Sequence, residues 1–311
     1  MNGHNINSAI SVDCFKEPAN SRLHFLTHMH SDHTVGLSST WSHVIYCSEV
    51  TSKLLSLKFS ISSKYIQVLD WDHLYCLKSQ GDTICVKMLP ANHCPGACMF
   101  LFESKTDRIL YTGDFRFNEE IEKALHKVIS PHNPIDVLYL DNTYCEPSCD
   151  FPTQDEAVQM IIKICQHHPK HRIIIGMSFI GHEELLCKVA QAIHEYVYVE
   201  ESIFERVKLI DGVYGEIFKA GRSTRLNAVP NHLIKASAIS KWNEEVKTIV
   251  IKPTARLGNV TSIGGDLCTS GLTYTVPYSN HSNFKELTEF VRQVNPRAII
   301  PIVPGRKPFS G

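Results

Sequence analysis

No apolar stretch in these 311 residues approaches the roughly 20 needed for a membrane-spanning helix. The N-terminus, Met1 to Ser11, has neither a basic start nor an apolar core, so a secretory signal is not expected. No internal repeat or low-complexity tract is present, which argues against stacked-repeat architectures and compositional disorder. Net charge is also nearly absent, at −1. Eleven cysteines, an odd number with no signal before them, predict reduced thiols in the cytosol or nucleus. The pairs Cys94/Cys98 and Cys145/Cys149 are spaced too loosely for a metal clip and read as small buried hydrophobes. What remains is a chain 43% hydrophobic with mixed charge. It is long enough for one large domain or two ordinary ones.

The near-zero charge hides an asymmetry. Residues 1–150 carry 12 Lys+Arg against 17 Asp+Glu, a net −5, and residues 151–311 carry 19 against 15, a net +4. Residues 217–256 hold eight bases (Lys219, Arg222, Arg225, Lys235, Lys241, Lys247, Lys252, Arg256) against Glu244 and Glu245. An acidic half suits cations and a basic half suits a polyanion. Solvated surface explains several of these residues equally well.

The richest segment is His28-Met29-His30-Ser31-Asp32-His33, with four potential metal ligands in six positions. It follows the strand-like Leu23-His24-Phe25-Leu26-Thr27. His28 and His30 are two apart and share a side of an extended backbone. Imidazole and carboxylate without thiolate suit zinc or a similar divalent ion at a catalytic site. Matching turns recur. Asn92-His93-Cys94-Pro95-Gly96 follows Val86 to Leu89, Thr112-Gly113-Asp114 follows Ile109-Leu110-Tyr111, and Tyr278-Ser279-Asn280-His281 follows Tyr274-Thr275-Val276. Each puts a His or Asp just beyond a strand, where open sheets assemble their sites.

Period-2 alternation and turn residues predict strands at 9–12, 23–26, 44–46, 66–69, 84–89, 99–102, 109–111 and 137–140, with helices at 50–57 and 118–128. Two prolines within 145–152 mark a crossing into a second domain. Thr153 with Glu156 three residues on reads as a capping box opening a helix. A strand within 171–177 and a helix at 181–196 continue an α/β alternation. A strand at 274–276, a helix at 283–294 and a strand at 298–303 return to the first pattern. The tail Pro304–Gly311 is polar, basic and unpatterned, as a cut end would be.

The order HxHxDH, lone His, TGD, late His resembles the metallo-β-lactamase fold signature. The stretches THMHSDHTVGLSSTW (27–41), ANHCPGACMFLFE (91–103), ILYTGDFR (109–116), LYLDNTYC (138–145) and VPYSNHSNFKEL (276–287) are similar to the DNA cross-link repair nucleases, whose inserted domain is called β-CASP. The likeness is dense over 10–145 and 270–303 and thin from about 150 to 270. It implies an α/β fold: an αββα sandwich from residues 1–150 and 271–311, with a β-CASP α/β domain at 151–270.

The same resemblance implies two divalent ions, zinc above all. His28, His30 and His93 would hold one, Asp32, His33 and His281 the other, with Asp114 between them. Asp13 and Asp141 would stand behind the ligands, grouped with Asp32 as catalytic carboxylates. Asn142, Thr143, Ser279 and Ser282 are candidates for a terminal phosphate, although for each taken singly the plain turn or cap reading is the stronger. Relatives tend to carry Lys where this chain has His182, which weakens a phosphate role there. His167, His168 and His171 read as surface residues around a helix end at Pro169, Trp41 as packing, and His232 stays unassigned. The implied activity is 5′-to-3′ exonuclease cutting of DNA ends, 5′-phosphorylated by preference, in nuclear cross-link repair and telomere end processing. A telomere-binding partner would dock through a C-terminal segment outside these residues, and no membrane is involved. The rivals are an RNA-processing β-CASP nuclease, a thioester or lactone hydrolase on the same fold, and a DNA-end-binding scaffold with a dead site.

Overall fold

The computed structural model describes residues 3–16, 22–210, 212–223, 225–255, 268–270 and 272–303. Arg256 and the tail Pro304–Gly311 lie outside them. The chain forms two compact units, Met1–Asp150 with Asn280–Gly311, and Phe151–Ser279.

The first unit opens with β1 (His4–Asn5), β2 (Ile10–Val12), β3 (Leu23–Phe25) and β4 (Ile45–Cys47), then helix α1 (Glu49–Phe59) and β5 (Ile66–Val68). These strands form one sheet in chain order, parallel from β2 onward. Ser48 starts α1 by accepting from the Thr51 N–H. A second sheet follows: β6 (Leu74–Ser79), β7 (Asp82–Pro90), β8 (Cys98–Glu103), β9 (Arg108–Tyr111), then α2 (Glu119–Val128) and β10 (Val137–Leu140).

The second unit alternates α3 (Gln154–His167), β11 (Arg172–Met177), α4 (Glu183–Ala192), β12 (Val197–Val199), α5 (Glu201–Ile210), α6 (Gly212–Ile217), β13 (Phe218–Ala220), β14 (Leu226–Pro230), α7 (Ala236–Glu245), β15 (Thr248–Pro253), β16 (Cys268–Ser270) and β17 (Thr273–Val276). Its strands lie in the order β13-β12-β14-β11-β15-β17-β16, parallel except β16. The capping box at Thr153 and Glu156 is present. Helices α3, α4 and α5 bury Ile161, Leu186 and Val207 against Ile173, Ile175 and Ile249. On the other face, Ile239 and Trp242 of α7 pack on Ile174 and Val250.

The chain then re-enters the first unit through α8 (Phe284–Val294) and β18 (Ala298–Pro301), which pairs in parallel with β10. The second sheet thus runs β18-β10-β9-β8-β7-β6. Its inner face meets the first sheet through Val12 and Phe25 against Val86, Phe100, Phe102 and Tyr111. Its outer face carries Ile121 and Leu125 of α2 and Leu287 and Phe290 of α8. The layering is the αββα sandwich expected.

Three details differ from the sequence reading. The return to the first unit falls at Asn280 and not at 271, because β17 pairs with β15 in the second unit's sheet. Helix α4 is shorter than 181–196, spanning Glu183–Ala192, with His194 at a left-handed φ of 55° just beyond it. One cysteine pair departs from the reduced state: Cys76 and Cys85 are disulfide-bonded. They sit opposite each other in the β6–β7 register with Cα atoms 4.0 Å apart, a juxtaposition set by pairing and invisible in spacing. Cys14, Cys47, Cys94, Cys98, Cys145, Cys149, Cys165 and Cys187 are free thiols. Cys98 and Cys145 are buried, while Cys94 and Cys149 are half-exposed.

Phe290 is fully buried and its ring centroid lies 4.5 Å from that of Phe115. Phe290→Ala is expected to cost about 3–5 kcal/mol. Urea unfolding followed by circular dichroism reads this as a lowered midpoint, and an unchanged midpoint would refute the packing role.

Candidate metal centre

Five turns of the first unit converge. His28, His30, Asp32 and His33 follow β3, His93 follows β7, Asp114 follows β9, Asp141 follows β10, and His281 precedes α8. Three overlapping groups result: His28, His30, His93 with Asp114; Asp32, His33 with Asp114; and Asp114, Asp141 with His281. Within each group the candidate ligand atoms lie within 4.8 Å of one another. Asp114 belongs to all three. The second ligand set expected from the sequence thus meets at Asp114, with Asp32 and His33 in one group and His281 with Asp141 in the other.

The donor atoms face one another. His30 Nδ1 lies 3.0 Å from His28 Nε2 and 2.9 Å from His93 Nε2. Tetrahedral zinc with Zn–N bonds of 2.0–2.1 Å would set ligand nitrogens about 3.3 Å apart, close to this spacing. Asp114 Oδ2 lies 3.2 Å from His33 Nε2, 3.6 Å from His28 Nε2 and His93 Nε2, and 4.0 Å from His281 Nε2. Its other oxygen, Oδ1, is buried and has no hydrogen-bond partner among the described residues. A buried carboxylate oxygen left open amid inward-facing nitrogens is what a divalent ion would satisfy. The residues present fit such a group.

The outward nitrogens are fixed. His33 Nδ1 donates to Asp13 Oδ2 at 2.7 Å, His281 Nδ1 to Asp141 Oδ2 at 2.8 Å, and His93 Nδ1 to the Asn280 carbonyl at 2.8 Å. His28 Nδ1 donates to Thr27 Oγ1 at 2.9 Å, and that hydroxyl donates to Asp13 Oδ2 at 2.7 Å. Four rings are thereby locked in the tautomer that turns Nε2 inward. Asp13 also accepts the Thr27 N–H at 2.8 Å, and its own backbone takes a left-handed φ of 53°. Asp13 and Asp141 thus each accept the Nδ1 proton of an inward-turned ring. Gly113, at φ +55°, is required here because a Cβ would meet Thr27 side-chain atoms at 2.9 Å.

Charge follows the same geometry. Burial, then the neighbouring His33 and His93 rings, hold His28 neutral, well below its usual range. Burial, then His281, does the same for His93. Burial works against the charged form of His33, yet Asp114 and Asp13 raise it well above the usual value. His281 is likewise opposed by burial and raised to about 9 by Asp141 and Asp114. Burial opposes the Asp114 carboxylate, but His33 and His281 hold its pKa well below the ordinary range.

The phosphate candidates are spent elsewhere. Asn142, 1% exposed, donates from Nδ2 to the Val303 carbonyl and accepts the Val303 N–H at Oδ1. Thr143 Oγ1 donates to Asp141 Oδ1 at 2.6 Å. Ser282, also 1% exposed, donates to the Phe115 carbonyl and accepts from the Phe117 N–H. Ser279 is buried at 4% exposure. The hydrogen bonds of Asn142, Thr143 and Ser282 thus go to the fold. In the second unit His182 is buried and accepts the Ser178 N–H. Arg225 donates to the carbonyls of Cys165, His168 and His171, which removes it from the free basic surface. Trp41 packs against Phe15, His24 and His43. His167, His168 and His171 gather around the end of α3, with His167 exposed and His168 and His171 half-buried rather than on the surface. Sequence reasoning missed Thr27 and the Asn280 carbonyl, the first a plain strand-end residue and the second a backbone atom without a sequence signal.

The family described as DNA repair metallo-beta-lactamase matches residues 215–307. The protein named "5' exonuclease Apollo" in Danio rerio is 40% identical over 318 residues, covering 99% of this chain and 53% of that protein. The Gallus gallus protein of the same name is 38% identical, covering 98% of this chain and 64% of its own length. The "DNA cross-link repair protein SNM1" of Arabidopsis thaliana is 31% identical, with 90% and 60% covered. Over nearly its whole length the chain is thus similar to proteins of DNA cross-link repair, and over residues 215–307 to the DNA repair metallo-β-lactamase family. It spans little more than half the length of the first of these relatives. A crystal structure of a protein of unknown function from Enterococcus faecalis V583 shares the fold at 17% identity and a TM-score of 0.64, covering 92% of this chain and 76% of that one.

In metal-free protein the His281–Asp141 pair favours the imidazolium. Its folded pKa of about 9 exceeds the ordinary 6.5, so its stabilisation is full below about 6.5 and fades as pH rises through 9. Thermal melts in chelator should show wild type exceeding His281→Gln at pH 6 and losing that advantage by pH 10. A gap that widens with pH would contradict the assignment.

Proposed function

We propose that this chain is a metal-dependent 5′-to-3′ DNA exonuclease acting on 5′-phosphorylated ends, with Phe151–Ser279 as its β-CASP domain. The observation that carries the reading is the buried Asp114 carboxylate, its Oδ1 open, set among inward-facing imidazoles. Identity to relatives named 5′ exonuclease supports the choice of substrate. His28, His30 and His93 would hold one ion, Asp32 and His33 with His281 a second, and Asp114 both.

Two divalent ions, zinc by preference for this donor set, would activate water and offset charge on the phosphoryl oxygens. The protein's part is to fix the rings. Asp13 and Asp141 keep His33 and His281 oriented through their Nδ1 protons, so no reorganisation is needed when charge develops. Asp32 is the most exposed carboxylate of the set, with a side chain 51% exposed, and would be the one most open to an arriving phosphodiester. In the second unit, Arg222, Lys235, Lys241 and Lys247 are exposed and offer a polyanion charge without base specificity. The setting we infer is nuclear, in interstrand cross-link repair and telomere end processing, with a telomere-binding protein as partner of a longer chain.

The test is degradation of 3′-labelled DNA oligomers bearing 5′-phosphate, 5′-hydroxyl or a blocked 5′ end, beside matched RNA. Expected is a ladder starting from the phosphorylated DNA end, abolished by chelator. Groups behind a ligand are worth about 10–100-fold, so Asp32→Ala should lose at least about 100-fold. Preferential cutting of RNA would favour an RNA-processing nuclease. No cutting by metal-loaded protein would favour an end-binding scaffold.

A further inference from the structure

We infer that Arg116 is a positioning residue of the metal centre, joining three of the turns that carry its ligands. The inference rests on the metal reading above. Arg116 lies two residues after Asp114, and its side chain is 2% exposed and forms a bidentate pair with Glu286. Nε lies 2.8 Å from Oε2 and Nη2 2.8 Å from Oε1. Glu286 in turn caps α8, the helix that begins just after His281. Its Oε2 accepts the Asn283 N–H at 2.9 Å, and Asn283 Oδ1 accepts the Glu286 N–H at 2.9 Å. The guanidinium therefore ties the Asp114 turn to the His281 turn.

The backbone of the same residue ties in the third. The Arg116 N–H donates to the Ala91 carbonyl at 3.0 Å, and Asn92 Nδ2 donates to the Arg116 carbonyl at 3.0 Å. Asn92 immediately precedes His93 and holds a left-handed φ of 49°. One residue thus meets the chain beside His93, beside Asp114 and beside His281.

A fork of two parallel bonds fixes distance and angle together, which the single ammonium of lysine cannot do. Ligand atoms held within a few tenths of an ångström are what a tight cation site needs. A buried ion pair that only added stability would have no reason to bridge these particular turns. Arg108 offers the comparison. It is buried in the same unit and paired with Glu103, and its carbonyl partners, Asn133 and Val128, lie away from the ligands.

The experiment compares wild type, Arg116→Lys, Glu286→Gln and Arg108→Lys in the whole chain. Zinc affinity is read by competition with a chromogenic chelator, ligand geometry by the visible spectrum of the cobalt(II) form, and stability by melts in excess chelator. Arg116→Lys and Glu286→Gln should weaken zinc binding about 10–100-fold and alter the cobalt spectrum. Arg108→Lys should lower the melting temperature and leave both metal readouts at the wild-type value. Glu286→Gln keeps an acceptor at the same place and carries the test if Arg116→Lys does not fold. Arg116 and Glu286 variants that melt early yet bind zinc as wild type does would reduce the pair to plain scaffolding. A wild-type chain that takes up no zinc would sink the metal reading itself, a result distinct from the previous one.

Discussion

A carboxylate buried with one oxygen open is the constraint around which the first unit is arranged. Asp114 is 4% exposed, and taking such a charge from water costs several kcal/mol unless positive charge replaces the lost hydration. Without metal, His33 and His281 supply it as imidazolium, their pKa values raised by Asp114 with Asp13 and Asp141, while burial and the neighbouring rings lower those of His28 and His93. Divalent ions would take over the same role and release those protons. Folding and metal binding therefore draw on one electrostatic demand. Two histidines are set to carry a proton there and two to stay neutral.

Meeting that demand requires turns from both ends of the chain to arrive in register. Parallel pairing aligns them. β10 lies between β9 and β18, so the turns bearing Asp114 and Asp141 leave the same edge of one sheet. Hydrogen bonds then stitch turn to turn: the His93 ring to the Asn280 carbonyl, Ser282 to Phe115 and Phe117, and Thr27 to Asp13. Ser282 and Asn142 became fold residues for this reason. A hydroxyl or amide in a crowded turn meets backbone groups that must be satisfied, and that need is served before a ligand's.

The cluster of candidate ligands was legible because its chemistry is carried by residue type. Histidine and aspartate just past apolar runs read as a metal site whichever way the sheet is wound. Strand and helix periodicity gave the elements of the sandwich to within a residue or two, as at Val137–Leu140 and α8. What stayed hidden depends on register or on the backbone. The Cys76–Cys85 pairing follows from which residues face each other across a hairpin. The edge strand β6 was missed because its pattern, Leu74 to Ser79, alternates exposed and half-buried residues with no apolar run. The boundary at Asn280 was misplaced because β17 looks like any core strand until its partner β15 is known. Arg116 stood in plain view within ILYTGDFR, but an arginine after an aspartate carries no sign that it turns inward to a glutamate 170 positions away.

The insertion of a second unit between Asp150 and Asn280 raises a physical question: how His281 keeps its place after so long an excursion. Loop closure over 129 residues costs little more than over a shorter loop, since the penalty grows only logarithmically. What matters is that the exit and the return are pinned to each other within the first unit. The Phe284 N–H donates to the Cys149 carbonyl at 3.1 Å, and Lys285 Nζ lies 2.7 Å from Asp150 Oδ2. The lysine pair is solvent-exposed and contributes little, while the backbone bond sits at the first turn of α8. With Glu286 held by Arg116 and Phe290 buried against Phe115, the first two turns of α8 are anchored before the chain has gone a dozen residues past His281. The His281 turn is thus referenced to the sandwich on its own side of the insertion.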